Sequence, residues 1–287
     1  MPKLKLYLKD LLDKLVVIDS MPEESLKITE FIKKNKKMAP FISLAKFADL
    51  LELEPEKINL YFQTVGFSDY EEFHRAIKDV VGSNLSNTDR FQIALSLNPE
   101  NSIVSNIINT ELKNLKYLLS SFDNEKFLEF VDEINKASDL IIVGTRASSS
   151  IAMYAEFIFT RIGKNPHIIT SGATRALDFL VNMDRNTLVF AVGFPRYPKE
   201  TINILSFLKK NNFKIISLTD SELSPIAHLS DLTFTIKRDG FSFLEFYAAP
   251  MCVINAIVMY ISHLNKEEAL QFFKKHELQA EELGYYF

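Results

Sequence analysis

The 287-residue chain has one cysteine, no tryptophan, eight glycines and ten prolines. A single cysteine excludes an intramolecular disulfide. Cys252 lies in the apolar run AAPMCVINAIVMYI, where it is expected to be a small buried hydrophobe in a reducing compartment. With so little glycine and proline, 47% hydrophobic and 24% charged residues, a long disordered tail is not expected. Long apolar runs are also missing. The opening MPKLKLYLKDLL interleaves Lys and Asp, unlike a signal h-region, and the run around Cys252 falls short of the ~18 residues of a spanning helix. Neither export nor membrane insertion is therefore expected, and the cytoplasm is the expected compartment. There is no positive excess, because the net charge is −4, so any nucleic-acid contact must come from a local patch. No Cys/His cluster has metal spacing and no glycine loop has a nucleotide-binding pattern, so neither a metal nor a cofactor is implied.

What is present divides by period. At about 150 residues per domain the length predicts two domains. Up to about Val80 the apolar clusters are helically spaced, whereas after Asp139 short β-branched runs alternate with helical stretches. The spacing predicts an all-α domain over 1–80, a linker over 81–104 containing the polar GSNLSNTD, and an α/β domain over 105–287. The α/β domain opens on a long helix striped by Ile103, Ile107, Ile108, Leu112, Leu115, Leu118 and Leu119.

In the first domain, Glu24 to Asn35 reads as a helix ending in lysines. SLAKFADLLELE follows with Ser43 as N-cap, then EPEKINLYFQTVGF with Pro55 in its first turn. Two short helices after a packed third form a helix-turn-helix arrangement, whose last helix can enter a major groove; any small helical bundle shows the same spacing. The run Val65-Gly66-Phe67-Ser68-Asp69-Tyr70-Glu71-Glu72-Phe73 resembles the end of the N-terminal domain of RpiR-type regulators, with its Gly-Phe-x-x-Tyr/Phe-x-x-Phe signature. The resemblance implies double-stranded operator DNA as a partner. The matching recognition positions hold Glu54, Glu56, Lys57, Asn59 and Leu60 where that family usually offers hydroxyls and an Arg. Lys57, Asn59, Gln63 and Thr64 are then the polar candidates for groove contacts. Residues 1–80 carry thirteen Lys or Arg against fourteen Asp or Glu, so the domain shows no basic excess. A packing or dimerisation module would look the same.

In the second domain DLIIVG, HIITS, TLVFAVGF, KIISLTD and LTFTIK read as five strands of a doubly wound, mainly parallel sheet, separated by helices near 148–162, 173–183 and 198–211. Ligands bind such sheets beyond the strands' carboxyl ends. That rim gathers Thr145, Arg146, Ser148, Ser149 and Ser150 after the first strand and Ser171 after the second. Arg196 and Tyr197 follow the third, with Thr219, Asp220 and Ser221 after the fourth. Serines opening a helix suit an anion, because unpaired N–H groups and the positive dipole end lie there; one of them can equally serve only as a cap.

IIVGTRASSS, the ALDFLVNMDRNTLVFAVGFPRYPKETI stretch and KIISLTDSELSPIAHLSDLTFTI resemble a SIS (sugar isomerase) domain over about 105–265. The resemblance implies a phosphorylated sugar held at these turns, and a homodimer or homotetramer. Where many such domains have a Ser-x-Ser-Gly-x-Thr loop after the third strand, this chain has Gly193-Phe194-Pro195-Arg196-Tyr197-Pro198, and Arg146 stands where glycine is usual. Two guanidinium groups can hold a phosphate bidentately in place of hydroxyls, or can close the pocket by pairing with acidic residues. An Arg-Tyr turn of this kind resembles RpiR-like regulators. Isomerisation, the alternative activity, needs a general base, for which Asp220, Glu222, His228 and Glu245 are the candidates; none has diagnostic spacing. A catalytic residue is therefore not assigned.

Overall fold

A computed structural model describes residues 22–74, 81, 85–172, 180, 183–238, 240 and 243–285. The residues before 22, most of the expected helix at 173–183, and parts of the segment 75–84 lie outside this set. The chain divides into two compact units at Ile103 and Val104.

The first unit is helical: α1 (Glu23–Lys34), α2 (Leu44–Leu51), α3 (Pro55–Thr64) and α4 (Asn87–Leu97). The Ser43 hydroxyl accepts from the Lys46 N–H at 3.2 Å and starts α2, and Pro55 takes the first turn of α3, where its missing N–H costs nothing. The α2–α3 turn is three residues long and passes through Glu52 at φ 54°. Ile28, Ile32, Phe47, Ile58, Tyr61, Phe62, Tyr70 and Phe73 form the core. Inside it the Thr29 hydroxyl and the Tyr61 phenol hydrogen-bond at 2.8 Å.

The Gly-Phe-x-x-Tyr-x-x-Phe run closes this core. Gly66 stands at φ +96° just past the end of α3, a conformation glycine adopts without steric cost. Phe67, Tyr70 and Phe73 then stack on Phe62, with centroids at 6.3, 5.2 and 4.3 Å, and Tyr70 donates to the Ile42 carbonyl at 2.6 Å. The signature is structural rather than a contact surface.

The segment expected as linker instead holds a folded helix. Ser86 and Asp89 form a reciprocal capping box for α4, and Asp89 also pairs with Lys37 at 2.8 Å. The sequence shows Ser-x-x-Asp here, but the weak apolar face of this helix hides it from periodicity.

The second unit runs α5 (Ile103–Ser120), α6 (Asn124–Lys136), β1 (Asp139–Val143), α7 (Ser149–Thr160), β2 (Asn165–Ile169), β3 (Leu188–Val192), α8 (Lys199–Lys210), β4 (Ile215–Thr219), β5 (Leu232–Thr235), α9 (Ala248–Leu264) and α10 (Lys266–Glu282). All four strand pairings are parallel, in the order β2-β1-β3-β4-β5. Strand alternation splits the core. Leu140 and Ile142 face the layer of α6, α7 and α9, while Ile141 and Val143 face that of α8. Continuous apolar strands follow from helices covering both faces.

Two expectations are corrected. Cys252 is exposed: α9 buries Ala249, Val253, Ile254, Ile257, Val258 and Ile261, and its helical turn leaves Cys252, Asn255 and Met259 on the opposite side. The α5 stripe is only partly covered, since Leu115 and Leu118 pack on the core whereas Ile108, Leu112 and Leu119 are exposed. α9 and α10 bend by 106° at Asn265, whose side-chain amide donates to Asn135. No single described helix is long and apolar enough to cross a membrane.

Candidate functional site

Strand order 2-1-3-4-5 places the winding reversal between β1 and β3, so the turns after these neighbouring strands open a crevice at the sheet's carboxyl rim. After β1 the chain turns sharply into α7. A Cβ on Gly144 would lie 2.8 Å from the Ser148 carbonyl oxygen and 3.0 Å from Ala152 Cβ, so only glycine fits. Thr145 is buried, and its hydroxyl meets that of Thr201 at 2.7 Å, tying the β1 turn to the first turn of α8 across the crevice. Arg146 is exposed at φ 57°, a left-handed conformation that glycine adopts without steric cost.

Ser148 precedes α7 without capping it; its buried side chain lies beside the Tyr247 phenol. Ser149 is half-buried, and Ser150 is exposed with its hydroxyl donating to the Ala147 carbonyl at 2.8 Å. None of the three side chains caps the helix, which continues from a 3₁₀ turn at Arg146–Ser148 whose Arg146 and Ala147 carbonyls accept from the Ser149 N–H. Ser171 is exposed after β2, beside Gly172, whose N–H donates to Glu200 at 2.8 Å.

The third and fourth turns are joined. Tyr197, half-buried, donates its phenol to Asp220, and burial followed by this hydrogen bond pushes the Tyr197 pKa up, holding the phenol protonated. Asp220 also accepts from Thr219, whose buried hydroxyl lies 3.2 Å from that of Ser224. The Ser221 hydroxyl accepts from the Leu223 N–H at 3.1 Å, in a local turn. Arg196 is exposed at the mouth of the β3 turn.

Sequence reasoning missed Arg238, three residues beyond β5 on the same rim. Its guanidinium lies 4.1 Å from the centroid of Phe194 and 5.4 Å from that of Tyr247, and bonds Glu245 and the Phe246 carbonyl, each at 3.2 Å. Its side chain is 11% exposed, and Nε is buried without a hydrogen-bond partner among the described residues. Arg238, Phe194 and Tyr247 thus form one linked cluster that joins the third turn to the segment after β5. The signal was available: an Arg directly following LTFTIK obeys the same rim rule that selected Arg146 and Arg196.

Three of the four candidate bases have side-chain partners. Asp220 accepts from Tyr197, Glu222 pairs with Lys126, Glu245 pairs with Arg238, and His228 is exposed on a short 3₁₀ turn. In the first unit the four groove candidates all have internal partners. Lys57 pairs with Glu24, Asn59 accepts from the Tyr70 N–H at 3.0 Å, Gln63 donates to the Ser68 carbonyl at 3.0 Å, and Thr64 donates to the Tyr61 carbonyl at 2.6 Å. Chemically, the rim can receive an anion. It combines arginines and hydroxyls at the start of a helix on one rim.

Residues 133–260 match the SIS domain family. An uncharacterized HTH-type transcriptional regulator of Clostridium perfringens is 23% identical over 72% of this chain and 75% of its own. Among solved structures, the sugar isomerase domain of an RpiR transcription factor from Sphaerobacter thermophilus aligns with a TM-score of 0.59 at 22% identity, over 61% of this chain and 98% of that one. The Vibrio vulnificus NanR protein, complexed with ManNAc-6P, aligns over 93% of this chain and 97% of its own, with a TM-score of 0.56 and 18% identity. These two likenesses establish the fold, and the NanR alignment extends it across both units. The second unit is thus similar to a SIS domain over 133–260, and the chain as a whole shares the fold of these solved structures.

Proposed function

We propose that this protein is a cytoplasmic DNA-binding transcriptional regulator of carbohydrate metabolism whose SIS domain senses a phosphorylated sugar. The observation that carries the reading is the carboxyl rim at the switch point, where the strand turns carry Arg146, Arg196 and Arg238 with the Ser148–Ser150 turn at the start of α7. Such a rim favours a compact dianion over a neutral sugar, because charge-assisted hydrogen bonds are about twice as strong as neutral ones. ManNAc-6P in NanR is an example of the ligand class. The engaged carboxylates weigh against the alternative, an isomerase, since none of Asp220, Glu222 and Glu245 is held ready as a base. The exposed apolar residues of α5 and α9 (Ile108, Leu112, Leu119, Met259, Leu264) support a homodimer or homotetramer, which light scattering would reveal as a mass above the monomer's 32.9 kDa. A thermal-shift screen of sugar phosphates and amino-sugar phosphates tests the ligand reading. A ligand at a hundred times its dissociation constant stabilises by about 2.7 kcal/mol. Shifts by unphosphorylated sugars alone would overturn the assignment, and turnover of a sugar phosphate would restore the isomerase.

A further inference from the structure

The helix expected to enter a groove is poorly charged for DNA, and the first unit resolves the difficulty by separating its charges. At one end, Glu23 and Glu24 of α1, Glu52 and Glu54 of the α2–α3 turn, and Lys27 and Lys57 line a recess of about 590 Å³. There Lys57 is paired with Glu24 and Lys27 with Glu23, so the N-terminal end of α3 presents carboxylates that repel phosphate. At the other end of α1, Lys33, Lys34, Lys36 and Lys37 line a groove of about 430 Å³ together with Asn35, Asp89, Gln92 and Ser96 of the same unit. Lys33 and Lys34 lie in the last turn of α1, where cations offset the helix dipole. Lys36 and Lys37 lie past the C-cap Asn35, beyond what the dipole accounts for.

Two of the four ammonium groups are held by carboxylates, Lys34 by Glu30 at 3.7 Å and Lys37 by Asp89 at 2.8 Å. Lys33 and Lys36 are exposed and have no ion pair among the described residues. The two ends are about 15 Å apart along α1, from 1.5 Å of rise per residue. The Debye length at physiological ionic strength is about 8 Å, so the acidic end does not cancel the lysine end. Gln92, on the exposed side of α4, adds an amide donor for phosphate oxygens, whereas the Ser96 hydroxyl donates to the Gln92 carbonyl at 3.0 Å.

The geometry points to the groove between the end of α1 and α4, with Lys33 and Lys36 at its lip, as the surface that holds the phosphate backbone of duplex DNA. The inference rests on the DNA-binding reading above and moves the electrostatic contact from α3 to α1. The sequence tally conceals it, because near-equal totals of acid and base average over two opposed clusters.

The test is fluorescence anisotropy of the full chain on a labelled mixed-sequence duplex of about three helical turns, from about 50 to about 200 mM salt. Lys33→Gln/Lys36→Gln removes two of the contacts and should lower the salt slope of log K by about 1.8, taking about 0.9 per phosphate. Lys33→Arg/Lys36→Arg should restore the slope, because the charge is kept, and Lys57→Gln should leave it unchanged. An unaltered slope in the double Gln variant, with a loss in Lys57→Gln, would return the contact to α3 while leaving the DNA-binding reading intact. No binding by the unsubstituted chain at the lowest salt would overturn both.

Discussion

Among the described residues, three side chains stand where the backbone favours glycine: Glu52 in the α2–α3 turn, Arg146 in the β1 turn and Asn212 after α8 have φ values of 54°, 57° and 61°, in the left-handed region. A left-handed L-residue costs roughly 1–2 kcal/mol, and glycine's greater chain entropy returns about 0.5–1 of that on substitution. Arg146→Gly should therefore raise stability by about 0.5–1 kcal/mol in chemical denaturation. It should also weaken phosphosugar binding about tenfold or more, since a hydrogen bond to a charged group contributes about 1.5–3 kcal/mol. A stable variant with unchanged affinity would show that Arg146 does not touch the ligand, and a destabilised one that it supports the fold. Residue types legible in the sequence were those obeying a rule of position. Ser43 as cap and Pro55 at the helix start need only their neighbours. Cys252 was misplaced because a helix that is apolar all round does not say which side faces outward, and Asn59 reads as a groove contact until Tyr70 is seen eleven residues on, taking its carbonyl.

At the scale of elements the strands were readable because burial on both faces removes alternation, leaving β-branched runs whose ends fall within two residues of those observed. Capping marks what periodicity misses. The N-terminus of α4 depends on Ser86 and Asp89, and Asp89 is held down to about 2 by hydrogen bonds from Lys37 and then from Ser86. A carboxylate with a folded pKa below its ordinary 3.8 adds stability that is complete above that value and is lost as pH falls toward about 2. Melting followed from neutral pH into that window should show Asp89→Asn less stable at neutral pH, with the gap closing toward pH ~2. Ser86→Ala should cost about 1 kcal/mol at neutral pH, with part of that cost also fading toward pH ~2, because the Ser86 hydroxyl is one of the donors to Asp89. A gap that persists at the lowest pH would mean that Asp89 acts by shape and not by charge. The same pair bears on DNA: Lys37 spends its charge on α4, which is why Lys33 and Lys36 are the lysines with charge to offer.

For the whole molecule, two units with separate cores turn ligand sensing into a question of coupling. The crevice at the β1/β3 switch point belongs to the second unit and the lysine groove to the first. If a phosphorylated sugar changes the affinity for DNA by some factor, DNA must change the affinity for the sugar by the same factor. Regulatory couplings are typically 1–3 kcal/mol, or about 5–150-fold. Anisotropy titrations of duplex DNA with and without saturating phosphosugar should therefore differ by a factor in that range, matched by calorimetric titration of the sugar with and without DNA. The direction of the change distinguishes an inducer from a corepressor. Thr145→Val offers a way to locate the coupling, because it removes the 2.7 Å hydroxyl contact that ties the β1 turn to α8 and leaves Thr201 buried without that partner, at about 1–3 kcal/mol. If the crevice moves as one body when the sugar binds, this variant should shrink the coupling factor while the DNA affinity of the unliganded chain stays as it was. Equal coupling in the variant and the unsubstituted chain would place the conformational change elsewhere in the second unit, and equal DNA affinity with and without the sugar would mean that the two units act independently.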